Sequence, residues 1–275
     1  MSFATELFYS SQSRLSESAL SNGIDKTFSY SGRDIYGSDF FIENRDILSN
    51  PKGAGYWLWK PYLILETLKV IEDDAMLVYS DSDIEIRKSL NPLFQIWSQI
   101  ESPMFFKVHE HLNRAWTKRD CFVLMDCDGP EYWDAEQTHA GFCLFQNNQS
   151  SRNFAEEWLS FCVDERVISD NENTCGLDNL PEFIAHRHDQ SVLSLLVKKH
   201  RIETYRDHSQ RGNRFIDKHS NSPYSQLTKS YRVRVDVLPV YKRWSVKLYR
   251  FARRYRVIQS LLSFLKGLLP SKWTR

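Results

Sequence analysis

Apolar positions along the chain alternate between short runs and longer stretches of helical period. Residues 4–9 (ATELFY) and 27–30 (TFSY) predict short strands, with a helix around Ser13–Ser21 between them. Tyr36–Leu48 is polar and mixed, with a short helix expected at Asp39–Ile47, and the stretch from Pro51 to Gly55 is turn-rich. Tyr62–Glu72, Leu90–Ile100, Ser151–Val163 and Gln190–Lys199 carry apolar residues at helical spacing. In the third of these, Phe154, Trp158 and Phe161 are expected to face inward. The apolar runs Ala75–Tyr79, Met104–Val108, Phe122–Met125 and Gly141–Gln146 read as strands, and Arg201–Tyr205 as a late one. Ala75–Tyr79 (AMLVY) is apolar throughout, as suits a strand buried on both faces. Residues 164–180 are polar and loop-like, and no internal repeat is present. Strands alternating with helices predict an α/β fold on a partly parallel sheet. In such sheets ligands sit beyond the carboxyl ends of the strands.

The length of 275 residues suits one large domain or two small ones, and 41% hydrophobic with 26% charged residues excludes a mainly disordered chain. No window approaches 18 uninterrupted apolar residues, so no membrane-spanning helix is expected. The first twenty residues lack a basic region followed by an apolar run, which predicts no secretory signal. The five cysteines form no CxxC pair. That spacing argues against structural zinc or a disulfide framework and for a reducing compartment.

Charge changes the picture. The net charge of +1 is a cancellation between residues 1–228, at −11, and residues 229–275, at +12. Within the second segment Trp244, Leu248, Phe251, Tyr255, Ile258, Leu262, Leu265 and Leu269 step by fours and threes, while Arg243, Lys247, Arg250, Arg253, Arg254, Arg256 and Lys266 lie off that stripe. This predicts a basic amphipathic helix bounded by Pro239 and Pro270. Two units follow: a body over 1–228 and a tail over 229–275. Such a helix fits an anionic membrane surface, where each basic residue adds roughly 1 kcal/mol. The plainer alternative is that the stripe packs on the body or on a partner helix. Nucleic acid is not the expected partner, because the acidic body repels it.

The sharpest chemical feature follows the AMLVY run directly: Asp81-Ser82-Asp83. Two acids at i and i+2 at a strand end stand about 6–7 Å apart at Cα. They can share Mg²⁺ or Mn²⁺ and leave positions for phosphate oxygens. The plainer reading is a polar loop with one Asp as a helix cap. A second feature is Ala54-Gly55-Tyr56-Trp57-Leu58-Trp59-Lys60-Pro61-Tyr62, where glycine permits close approach, aromatics stack on a base or sugar, and Lys60 pairs with phosphate; a buried turn with a Trp-rich core is the alternative. A third is His186-Arg187-His188-Asp189-Gln190-Ser191 at a helix entrance. There Asp189 is either an N-cap or a group aimed above the sheet, and His188 a possible metal ligand. Arg119 and Asp120, in Trp116–Asp120, are candidates for phosphate and sugar hydroxyls, with surface salt bridging as the alternative, and His139-Ala140-Gly141 is a smaller candidate. Met125–Asp128 reads as a turn, and His109-Glu110-His111 lacks the HExxH spacing of a helical zinc site.

Taken in order, GYWLWKPY, LVYSDSD, WTKRD, AGF and HRHDQSVLSLL resemble a group of bacterial GT-A glycosyltransferases of O-antigen and capsular polysaccharide biosynthesis. The resemblance covers residues 4–206, and the pairing of GYWxWKP with HRHDQS is its most specific part. It implies the nucleotide-diphospho-sugar transferase fold, a Rossmann-like mixed sheet flanked by helices. Asp81 and Asp83 then match the DxD that binds the divalent cation and the nucleotide diphosphate. Asp189 and Gln190 match an Asp-Gln pair at the catalytic centre of glycogenin-like retaining enzymes, where a later His completes the metal site; His186, His188 and His208 all stay open for that part, with His188 taken forward. Tyr56, Trp59, Lys60, Arg119 and Asp120 join Asp81 as donor-binding candidates. The expected activity is transfer of a sugar, with Mn²⁺ or Mg²⁺, from a nucleotide diphosphate sugar to a hydroxyl of a glycan or lipid-linked oligosaccharide, with Asp189 either the general base of an inverting displacement or the stabiliser of an oxocarbenium-like state in a retaining one. The expected location is the cytoplasmic face of the plasma membrane. A non-catalytic carbohydrate- or partner-binding protein of the same fold is the alternative. A nucleotidyltransferase ranks lower, because ATELFYSSQSR lacks the glycine-rich phosphate loop.

Overall fold

The computed structural model describes residues 1–100 and 103–231. The strands are β1 (Ser2–Ala4), β2 (Ser29–Ser31), β3 (Met76–Ser80), β4 (Ile84–Ile86), β5 (Phe105–Leu112), β6 (Glu136–Thr138), β7 (Phe142–Gln146), β8 (Thr204–Tyr205) and β9 (Thr228–Ser230). β1 and β2 pair in parallel. Met1 then joins β1 to β3 in the parallel sense, with its N–H groups donating to Val78 O (2.8 Å) and its carbonyl accepting from Ser80 N (3.0 Å). β7 runs antiparallel to β3 from Met76↔Gln146 to Ser80↔Phe142. A bridge between Met104 and Leu144 carries β7 onto β5. β6 lies antiparallel on β5 and β8 parallel on its other edge. The hydrogen-bonded order is β2-β1-β3-β7-β5-β8, with β6 continuing the place of β7 beside β5. The mixed α/β architecture expected from the sequence is the one observed.

The sheet is buried on both faces, which explains why its central strands are apolar without alternation. Leu77, Tyr79, Phe105, Cys143 and Phe145 point to one face, where helices Trp59–Val70, Gln149–Cys162 and Asp189–Lys199 cover them. Phe106, Phe142 and Leu144 point to the other, against Leu15 and Ala19 of helix Tyr9–Leu20 and Leu93 and Trp97 of helix Asn91–Trp97. The period of two along β7 thus feeds two cores. Four of the five cysteines are fully buried as small apolar residues.

Several sequence expectations shift. Phe122–Met125 is not a strand: it belongs mostly to helix Arg119–Leu124, and Cys121, Phe122 and Met125 face the core from it at helical spacing. The segment 4–9 splits after β1 into a turn of 3-10 helix and the start of helix Tyr9–Leu20. The helix expected over 39–47 breaks at Asn44, whose side chain donates to Phe40 O (3.0 Å). β4, β6 and β9 have only three residues each and went unread. β4 and β9 pair antiparallel, after which Tyr231 N donates to Asp83 O (2.8 Å) and the Tyr231 hydroxyl to Glu85 (2.5 Å). The expected boundary at 228 falls within β9. The amphipathic helix expected beyond it lies outside the described residues, among which no helix is long and apolar enough to cross a membrane.

Phe145 is fully buried in the first core, edge-on to Phe105 with ring centroids 5.7 Å apart. Phe145→Ala should cost about 3–5 kcal/mol of stability. The check is urea unfolding, with a lower midpoint and an unchanged slope.

Candidate functional site

The loops after β1 and β3 open on one side of a cleft of about 470 Å³, lined by Phe3, Thr5, Phe8, Tyr36, Phe41, Trp57 and Trp59, with Asp81 and Asp83 also on its wall. Asp81 leaves the end of β3 and is pinned there by its own N–H, which donates to Gly141 O at 2.8 Å. A Cβ on Gly141 would lie 2.7 Å from Asp81 Oδ2 and 3.2 Å from His139 Cε1, so any side chain there would displace the Asp81 carboxylate. The expected pair of acids at a strand end is therefore in place.

Behind Asp81 lies a buried ionic network. Lys60, 3% exposed, sets its ammonium 2.7 Å from Asp189 Oδ2 and 3.6 Å from Asp81 Oδ1. The Tyr79 hydroxyl donates to the same Asp81 oxygen at 2.6 Å. Burial pushes the Asp189 carboxyl up to about 6, against the pull of Lys60. Burial also works against the Lys60 charge, but Asp189 and Asp81 outweigh it and its affinity for the proton is raised. Burial raises the Tyr79 hydroxyl well above its usual range, so it stays a donor.

Asp189 does not cap its helix. The capping position is His188, held at φ 55° and ψ −123°, and Asp189 is the first helical residue. Its main-chain carbonyl accepts from Trp158 Nε1 at 3.0 Å, which fixes the helix start. Gln190 Nε2 donates to Gln137 Oε1 at 2.6 Å. His188 Nδ1 meets Ile168 O at 2.7 Å, and its ring stacks on Tyr56 and Trp57 at 4.8 and 5.6 Å.

The aromatic stretch adopts a form that sequence reading missed. Gly53, Ala54, Gly55, Tyr56 and Trp57 all have positive φ, at 59°, 52°, 96°, 52° and 62°. This is one turn of left-handed helix, closed by Tyr56 N donating to Lys52 O (2.8 Å) and, more loosely, Trp57 N to Gly53 O (3.3 Å). Each non-glycine residue in it carries roughly 1–2 kcal/mol of strain. Rigid partners hold it: Trp59 Nε1 donates to Gly53 O (2.9 Å), Asn50 Nδ2 to the Tyr56 hydroxyl (3.0 Å), and His188 stacks from above. The turn presents Trp57 to the cleft and directs Tyr56 to His188, so Trp59 lines the cleft while Tyr56 and Lys60 stand behind it.

Arg119 and Asp120 do other work. Arg119 pairs with Asp128 at 2.8 Å and lies over Trp133. Asp120, fully buried, accepts from Thr174 N and Cys175 N at 2.8 Å and holds the 171–175 loop. His186 is occupied as well, by Lys118 N (3.2 Å) and Val167 O (2.9 Å).

A second histidine corner adjoins Asp81. His139 Nδ1 and His208 Nε2 are sealed from solvent and have no hydrogen-bond partner among the described residues, and the two rings are 6.3 Å apart. Burial lowers His208 to about 3, so its imidazole is neutral. Its Nδ1 meets Thr228 Oγ1 at 2.6 Å, and its ring packs on Phe142. Asp207 sits close enough to act on both imidazoles. Thr5, Phe8, Tyr36 and Asp207 were not anticipated, and an apolar strand followed at once by a polar residue was the only available signal for Thr5. Among the described residues no three His, Cys, Asp or Glu side chains form a ready-made metal cage.

No family model matches the chain, and no curated protein matches it. Solved structures similar to this chain include the following two. Mouse xyloside xylosyltransferase 1, in its apo form, is 11% identical over 84% of this chain and 96% of its own, with a TM-score of 0.43. The galactosyltransferase LgtC, in complex with donor and acceptor sugar analogues, is 12% identical over 96% of this chain and 98% of its own, also with a TM-score of 0.43.

Asp189 binds its proton more tightly in the folded chain than in the unfolded one, where its pKa is near the usual 3.8. Between about pH 4 and 6 the folded state therefore holds the extra proton, and stability contributed by this group falls as pH rises through that window. Asp189→Asn should remove that slope from the pH dependence of chemical unfolding. Lys60→Met should destabilise by roughly 3–5 kcal/mol at pH 8, because it strands a buried carboxylate.

Proposed function

We propose that this protein is a glycosyltransferase that moves a sugar from a nucleotide diphosphate sugar to a hydroxyl of a cell-surface glycan. The observation that carries the reading is the placement of Asp81 and Asp83 on the wall of an aromatic cleft, with the Lys60–Asp189 pair directly behind Asp81. The resemblance of these same segments to GT-A transferases of O-antigen and capsule synthesis agrees with it.

In this reading the aromatic wall of Phe8, Tyr36 and Trp57 takes the nucleoside, which leaves the diphosphate at Asp81 and Asp83. The donor set suits a hard divalent cation such as Mn²⁺ or Mg²⁺, which uses one or two carboxylates and fills its shell with phosphate oxygens and water. Asp81 and Asp83 would hold it. Of the histidines open for a third place, His186 is spent on Lys118 and Val167, and His188 turns Nδ1 to Ile168 O and Nε2 toward Asp170 at 3.8 Å, so His208, which stands against His139 beside Asp81, replaces His188. When bound, the cation neutralises the diphosphate leaving group. Lys60 fixes the orientation of Asp81 and keeps Asp189 ionised above pH 6. Asp189, 3% exposed, is better placed to stabilise positive charge developing on the sugar than to meet an acceptor hydroxyl arriving from solvent. Gln190 and Gln137 border that point.

The acceptor class is a lipid-linked glycan at the inner face of the plasma membrane. Support comes from the basic, amphipathic sequence of 229–275 and from its point of departure, since Tyr231 is bonded to Asp83 at the cleft. A chain lacking residues 240–275 should lose sedimentation with vesicles containing anionic phospholipid, and unchanged sedimentation would remove the membrane assignment.

Thermal unfolding with nucleotide diphosphates and nucleotide sugars, with and without Mn²⁺, tests the transferase reading. Metal plus one nucleotide class should raise the melting temperature by mass action. Asp83→Ala should abolish both that shift and transfer while leaving the fold intact. Full activity in Asp83→Ala, or no shift with any nucleotide, would favour a non-catalytic binding protein.

A further inference from the structure

Arg206 is fully buried, yet among the described residues it has no carboxylate within ion-pair distance. Its guanidinium is surrounded by main-chain oxygens instead. Nη1 donates to Asp207 O (3.4 Å) and Gly212 O (3.3 Å), and Nη2 to Ser222 O (3.4 Å) and, closely, to Tyr224 O. The cation also lies 4.7 Å above the Tyr224 ring, and the Tyr224 hydroxyl donates to the Arg206 carbonyl. Arg206 N donates to Ser222 Oγ at 2.9 Å. Burying a guanidinium without a counter-charge is costly, and only its planar fork of five donors can serve several carbonyls at once. Gly212 completes the cage: a Cβ there would lie 1.9 Å from Asp207 O, so no side chain fits.

The cage ties together the two ends of one loop. At its start Asp207 and His208 stand against His139, beside Asp81. At its end Leu227 N and Thr228 N donate to His208 O (2.9 and 3.3 Å), and the chain enters β9, which pairs with β4 and brings Tyr231 to Asp83. Both acids of the cleft wall therefore stand next to this loop, Asp81 through His139 and Asp83 through Tyr231, while Phe8, Tyr36 and Trp57 of the aromatic wall come from other segments of the chain.

We infer that Arg206 is a positioning residue of the reaction: through a cage of main-chain carbonyls it holds the 207–228 loop so that His208 and the Asp81–Asp83 segment meet the diphosphate in one geometry. The inference rests on the transferase reading. Losing the cage disturbs alignment at the reacting end and spares nucleoside contacts, so it acts on kcat rather than on donor KM.

The test uses the full chain with Arg206→Lys, which keeps the charge but loses the fork, and Tyr224→Phe, which removes only the hydroxyl clasp. Hydrogen exchange should quicken at the amides of Leu227, Thr228 and Tyr231 and stay unchanged along the β3–β7 ladder. For Arg206→Lys, kcat should fall tenfold or more with donor KM within twofold. Tyr224→Phe should show a smaller fall of the same kind. Quickened exchange with wild-type kcat would overturn the inference. So would exchange quickened throughout the chain with kcat and KM lost together, which marks a merely structural arginine. Absence of turnover in the wild-type chain is a separate result: it refutes the transferase reading, and the positioning role of Arg206 with it.

Discussion

The ammonium of Lys60, held between Asp189 and Asp81 with almost no access to water, is the constraint on which the site depends. Three elements meet at this charge. Lys60 opens helix Trp59–Val70, Asp81 ends β3, and Asp189 opens helix Asp189–Lys199. Neither Lys60 nor Asp189 is a tolerable buried group alone, because an isolated charge in the interior is far costlier than a paired one. Their mutual attraction therefore fixes the relative positions of two helix starts and a strand end. In the proposed transfer, that is also the precision the alignment of reacting groups needs.

Much of the frame was legible in the sequence because it rests on burial. The apolar runs of β3 and β7 announce a sheet covered on both faces, and the acids after AMLVY mark the end of a strand. The helix after His188 was equally clear from its spacing. Three things were not legible, each for a physical reason. β4 and β9 are three residues long and polar in part, so their pairing depends on where the rest of the chain brings them. The Arg206 cage is made from carbonyls, which every residue has, so no side-chain pattern announces it. The apolar run at 122–125 fits either period, and only its partners across the core make it helical.

The left-handed turn at 53–57 is the clearest case of local preference overruled. Ala54, Tyr56 and Trp57 pay for an unfavourable backbone through contacts made at a distance, above all the stack on His188, itself strained. Two strained segments supporting one another couple the aromatic wall of the cleft to the entrance of the Asp189 helix. His188 is the link between them, stacked on Trp57 and next in the chain to Asp189.

The bond from Tyr231 to Asp83 means that the chain beyond the described residues starts at the lip of the cleft rather than at a remote face. If residues 232–275 rest on a surface, the cleft is held to that same surface at short range. Capture of an acceptor lying there is then governed by effective concentration, which a tether sets through its length, and not by the bulk abundance of either molecule. Under that condition even a weak grip on the acceptor suffices, because the acceptor cannot diffuse away in the third dimension.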